Sequence, residues 1–131
     1  MSKENLSIDL ILIPPIANPI LIEQRENFMP VGLLVLLATL SQNGYNASIY
    51  KPEIKILDNR DIDKVCKDML LSNPKSIGFS TWCNSYPLSL LLARRIKKLN
   101  PGIPIIFGGP QATTLAVETL ERYPFVDYII K

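Results

Sequence analysis

Short apolar runs and helical patterns take turns along this chain, and that alternation leaves few folds open. Five runs carry the β-rich composition: Ser7 to Ile13, Asn46 to Tyr50, Ser76 to Ser80, Ile103 to Phe107 and Asp127 to Ile130. The first, Ser-Ile-Asp-Leu-Ile-Leu-Ile, stops at Pro14-Pro15, because proline cannot donate to a strand ladder. Runs this continuously apolar suit parallel strands that are covered on both faces.

Between them lie four helical patterns with recognisable ends. Val31 to Gln42 belongs to an apolar stretch from Met29 to Leu40, reads as a buried helix, and stops at Asn43-Gly44, where glycine supplies a left-handed cap. Asp61 to Leu71 sets Ile62, Val65, Cys66, Met69 and Leu70 on one face. A third helix opens at Tyr86-Pro87 with Ser85 as its cap, carries Leu88, Leu91, Leu92, Ile96 and Leu99, and ends at Asn100-Pro101-Gly102. The last spans about Thr113 to Arg122 and stops before Pro124. Strands alternating with helices require right-handed crossovers. The expectation is therefore an α/β, doubly wound (flavodoxin-like or Rossmann-like) fold. It has a five-stranded parallel sheet in the order 2-1-3-4-5 with helices on both faces. Residues 1–131 form a single domain with no internal repeat. The final run ends at Lys131 with nothing to cover that edge, so the chain reads as the front part of a longer protein.

Composition narrows the functional classes. A net charge of +2 is too small to argue for nucleic acid, and the cluster Arg94, Arg95, Lys97, Lys98 reads as a solvated helix end. No apolar stretch reaches the length of about eighteen residues that a membrane span needs. Met1 to Asn5 leads into a strand without the order of a signal peptide. With only Cys66 and Cys83, a disulfide framework is not expected, and the chain reads as cytoplasmic and reduced.

In an open parallel sheet, ligands bind beyond the carboxyl ends of the strands. Three loops meet there: Pro14 to Pro30, Ser80 to Tyr86, and Gly108 to Thr114. The first opens with two prolines and has no glycine before Gly32, so it lacks the Gly-x-Gly-x-x-Gly turn that admits a dinucleotide. The acidic pocket and phosphorylatable aspartate of a response regulator are missing too. The chain has no histidine, which removes the commonest general base and metal ligand. Two cysteines cannot hold an iron–sulfur cluster alone. These residues form a binding module without catalytic groups of its own.

Gly108-Gly109 directly after a strand lets another molecule lie against the backbone, or else makes a tight strand-to-helix turn. Ser80-Thr81 with Trp82 offers two hydroxyls and an aromatic face at the next strand end; the plainer alternative is polar capping with a core tryptophan. Cys83 reads as an inert small apolar residue.

At these positions the sequence resembles the N-terminal cobalamin-binding domain of radical-SAM proteins. The resemblance rests on Phe79-Ser80-Thr81-Trp82-Cys83-Asn84, on Phe107-Gly108-Gly109-Pro110-Gln111-Ala112-Thr113, and on Val126-Asp127-Tyr128-Ile129. Pro30-Val31-Gly32-Leu33 before an apolar helix, following a strand that ends in Pro14-Pro15, matches as well. The resemblance implies that Ser80, Gly108 and Gly109 line a slot for the nucleotide tail of cobalamin. Thr81, Trp82, Pro110 and Gln111 would flank it, and the loop from Pro14 to Pro30, with Pro15 among the cofactor-binding residues, would be the protein nearest the corrin's lower face. It also implies a C-terminal radical-SAM barrel as partner, whose Cys-x-x-x-Cys-x-x-Cys would bind an iron–sulfur cluster and S-adenosylmethionine; neither motif nor barrel is in these residues.

One branch of cobalamin folds places Asp-x-His-x-x-Gly after the first strand and uses its histidine as the lower axial ligand. This chain cannot, so bound cobalamin would be base-off with no imidazole from the protein. Two other readings stay open: a domain that keeps the fold but binds no cofactor and packs on the barrel, and a different flavodoxin-like binder.

Overall fold

Parallel hydrogen bonding joins five strands in the order β2-β1-β3-β4-β5, as the alternating pattern predicts. The strands are β1 (Leu10–Ile13), β2 (Ala47–Ile49), β3 (Ile77–Ser80), β4 (Ile105–Gly108) and β5 (Tyr128–Ile129). The helices are α1 (Val31–Gln42), α2 (Asn59–Leu70), α3 (Tyr86–Leu99), α4 (Pro110–Thr114) and α5 (Ala116–Arg122). This computed structural model describes residues 8–16, 30–52, 54 and 58–131. Ser7, expected to open the first strand, and Ala17 to Met29, most of the long loop after it, lie outside the described residues.

Side chains alternate across each strand, and the two faces of this sheet differ. On one face Ile11, Ile13, Ile77, Phe79, Ile105 and Phe107 are buried against α2 and α3. Helix α2 contributes Ile62, Val65, Cys66 and Met69; α3 contributes Leu88, Leu92 and Ile96. The Phe79 and Phe107 rings pack at 5.3 Å, and Tyr86 meets Phe107 edge-on. Cys66 donates its thiol to the Leu92 carbonyl, and burial, more than the neighbouring Asp63 charge, pushes that thiol up to about 12. Leu91 and Leu99, expected in the α3 stripe, are exposed. The small Ser89 and Ala93 are buried instead, because close approach to α2 and the sheet favours short side chains at those positions.

The helix ends explain most boundary differences. At the end of α1 the Gly44 N–H bonds the Ser41 carbonyl and the Tyr45 N–H bonds the Leu40 carbonyl, with Gly44 at φ +83°. That is the left-handed cap expected at Asn43-Gly44. Helix α2 begins two residues before Asp61, because the Asp58 carboxylate accepts the Asp61 N–H at 2.8 Å. The expected single helix from Thr113 to Arg122 is two helices joined at Leu115. The first starts at Pro110, and the Thr114 hydroxyl bonds back to the Pro110 carbonyl, a side-chain competitor that weakens helix continuation. Ser85 does not cap α3: its hydroxyl accepts the Trp82 N–H and tightens the turn before the helix.

Helix α1 lies over the opposite face of the sheet, and here the expectation of a buried helix fails. Leu33 is its buried residue, whereas Val31, Leu34, Val35 and Leu36 are exposed. A helix that is apolar all round needs cover on every side. Among the described residues the sheet meets one flank of α1, and between them a cleft opens.

Candidate functional site

The carboxyl ends of β1, β3 and β4 lie side by side, at the point where the chain switches from building leftwards (β1 to β2) to building rightwards (β1's other neighbour, β3). Ser80 and Gly108 are direct partners in the β3–β4 register. The two loops that sequence reasoning brought to one edge are therefore adjacent.

Thr81 ties those loops together. It is fully buried, its hydroxyl donates to the Gly108 carbonyl at 2.9 Å, and the same oxygen accepts the Ala112 N–H at 3.0 Å. Its own N–H bonds Gly108 and its carbonyl accepts from the Gln111 N–H. Every polar group of Thr81 has a partner within the fold, so what Thr81 does in this structure is join the two loops. Gly109 serves the same junction. It sits at φ +93° and ψ 175°, and a Cβ there would lie 2.6 Å from the Thr81 carbonyl oxygen and 2.8 Å from its nitrogen. The missing side chain makes room for the Thr81 backbone, as a tight strand-to-helix turn requires.

The cleft between α1 and the sheet has a volume of about 640 Å³, within the size range of small-molecule sites. Its floor is the sheet face that α1 overlies, built in rows set by the strand register. Ser80 and Gly108 form the row at the carboxyl ends, with Leu12, Gly78 and Ile106 in the next. Leu33, Leu36 and Leu40 of α1 form the facing wall. Of the expected site residues, Pro15, Ser80, Trp82, Gly108, Gly109 and Pro110 line this cleft. Thr81 and Gln111 do not: the first is buried behind it, and the second turns its backbone to Thr81. Trp82, whose plainer reading was a core residue, is 42% exposed at the cleft.

Two residues of the site were missed. Gly78 stands two positions before Ser80 on the same face and lines the floor together with the Leu10 and Leu12 side chains that pack beside it; a glycine inside a strand was the available signal. Thr113, in α4, adds a second hydroxyl. Of the pair Gly108-Gly109, where close approach to backbone was expected, Gly108 is the one open to the cleft; beside Gly78 the Leu12 and Leu10 side chains already lie 3.4 and 3.6 Å from where a Cβ would stand. A Cβ at Gly108 would meet only the Ile130 carbonyl, at 3.6 Å, and would otherwise stand in the cleft.

The cleft can bury a flat, mostly apolar group against aliphatic side chains and the Gly108 backbone and hold a polar stem at its mouth, where Ser80, Thr113 and Lys131 lie. Among the described residues no group of three or more histidine, cysteine or acidic side chains could hold a metal ion, and no helix is long and apolar enough to cross a membrane. A family model, the B12 binding domain, matches residues 18–131. The chain belongs to the B12 binding domain family. The match takes in four of the five strands, all of α1 and both loops that meet at Thr81. No curated protein matched the chain. A cobalamin-binding domain must receive a large cofactor, and the residues present fit part of one. The glycine floor and leucine wall suit an aromatic base, and the hydroxyls at the mouth suit the sugar and phosphate that follow it.

Proposed function

We propose that this domain binds cobalamin by taking the cofactor's nucleotide tail into the cleft between α1 and the sheet, and that it serves a radical-SAM enzyme. The observation that carries the reading is the pairing of Ser80 with Gly108 at the mouth of an apolar cleft whose floor has no side chains at Gly78 and Gly108. Cobalamin, when bound, would supply a cobalt centre able to carry a methyl group.

The chain's own residues would position and shield it. Gly78 and Gly108 let the tail lie on the strands, Leu33 and Leu36 close over it, and the Ser80 hydroxyl offers a hydrogen bond at the mouth. Thr81 keeps both loops fixed, so the slot is largely preformed. The sequence contains no histidine, so it offers no imidazole to the lower face of the corrin; a tail held in the cleft leaves cobalt base-off. The segments Phe79 to Asn84 and Phe107 to Thr113 support a radical-SAM barrel as the covalent partner, holding S-adenosylmethionine and an iron–sulfur cluster.

Mixing the domain with hydroxocobalamin tests the first part. Retention of a spectrally shifted cofactor through gel filtration is the expected result. Cofactor that washes away would favour a domain that keeps the fold and packs on a barrel without cobalamin. The second part is tested by the sequence after Lys131, where Cys-x-x-x-Cys-x-x-Cys is expected.

A further inference from the structure

We infer that the cleft selects among corrinoids by the base at the end of the tail, accepting a benzimidazole and disfavouring a purine. This rests on the proposal that the tail enters the cleft. Behind the mouth, the lining is Leu10, Leu12 and Ile106 on the sheet and Leu33, Leu36 and Leu40 on α1. None of these side chains donates or accepts a hydrogen bond. The backbone of the floor gives no partner either, because β1, β3 and β4 are joined by continuous parallel ladders that use the N–H and carbonyl groups of Leu12, Gly78 and Ile106. The cleft's hydroxyls, at Ser80 and Thr113, belong to the strand-end row and to α4 beyond it.

A base that passes the mouth therefore meets only hydrocarbon. Dimethylbenzimidazole presents two methyl groups at its far edge, and their burial is favourable. Adenine presents an exocyclic amine and ring nitrogens there. Each would give up its water without gaining a partner, and that desolvation is not recovered. An apolar pocket rejects added polar groups only moderately, up to about a hundredfold, so the discrimination is real but limited.

The test compares two corrinoids with the same ring, one ending in dimethylbenzimidazole and one in adenine, each titrated into the domain and followed by absorbance. The expected result is tighter binding of the benzimidazole form by about tenfold or more, which is about 1.4 kcal/mol. Leu36 is half-exposed on the α1 wall and glutamine is a good helix former, so Leu36→Gln should fold and should narrow the ratio by giving the purine a partner. Equal affinities in the unaltered domain would overturn the selectivity while leaving tail binding intact. An unchanged ratio in a folded Leu36→Gln domain would overturn the assignment to this wall. If a corrinoid with no tail binds as tightly as cobalamin, tail binding itself fails, and the selectivity with it.

Discussion

Neighbouring glycines with opposite duties give the sharpest prediction. At Gly109, alanine meets two penalties. Its torsions, φ +93° and ψ 175°, fall in a region that is almost exclusive to glycine, costing a side-chain-bearing residue about 1–3 kcal/mol. Its Cβ would also sit 2.6 Å from the Thr81 carbonyl oxygen and 2.8 Å from the Thr81 nitrogen, both backbone atoms held by the Gly108 and Gln111 bonds. The loop must shift, so Gly109→Ala should destabilise by about 3 kcal/mol or more, the upper end of ordinary point mutations. For a chain of this size that lowers the melting temperature by roughly 10 °C. Gly108→Ala should leave the melting temperature nearly unchanged, since its Cβ meets only one backbone oxygen, at an ordinary 3.6 Å. Yet it puts a methyl group on the cleft floor. Thermal melts and hydroxocobalamin titrations on both variants and on Gly108→Val decide the matter. Gly108 variants should lose affinity in order of size without losing stability. A stable Gly109→Ala domain, or a Gly108→Val domain that binds as tightly as the unaltered chain, would refute the division of labour.

Other outcomes follow from the same contacts. Thr81→Val keeps the shape but strands the buried Ala112 N–H, so stability should fall by about 1–3 kcal/mol in urea denaturation. Asp127→Ala removes the carboxylate that accepts from both the buried Ile105 N–H and Lys97, and should cost a similar amount, with the loss seen first as fast amide exchange along β5. A thiol titration near neutral pH should detect Cys83, which is exposed, and find Cys66 only after denaturant is added. The Cys66 thiol is held protonated in the folded state, up to about 12 against an ordinary 9.0. Its contribution to stability is present below pH 9 and declines as pH rises from there towards 12, which Cys66→Ala should abolish in alkaline melts.

The strand order was legible because each strand is a bounded apolar run and each crossover has a visible helix, so few topologies survive the handedness rule. Ser80 and Gly108 were legible for a related reason: both end an apolar run, and the order 2-1-3-4-5 makes their strands neighbours. The function of the second glycine was not. Period and composition treat Gly108 and Gly109 alike, and only torsions and the position of Thr81 separate the glycine open to the cleft from the one packed on backbone. The role of Thr81 in joining the loops was hidden in the same way, since a hydroxyl at a strand end shows its partners at Gly108 and Ala112 only in the fold. Helix α1 shows the converse. Its sequence demands burial on every side, but a sequence does not say which element supplies the cover, and the described sheet supplies it on one flank.

Electron paramagnetic resonance of the domain loaded with cob(II)alamin tests the placement of the tail most directly. A nitrogen bound axially to cobalt splits the signal, and this chain has no histidine to provide one. With the tail in the cleft between Ser80, Gly108 and α1, the cofactor's own base is drawn off the metal, and the predicted spectrum shows no axial nitrogen splitting. Tightly bound cofactor with a nitrogen-split signal would mean that the base is still on cobalt and the cleft is empty of it.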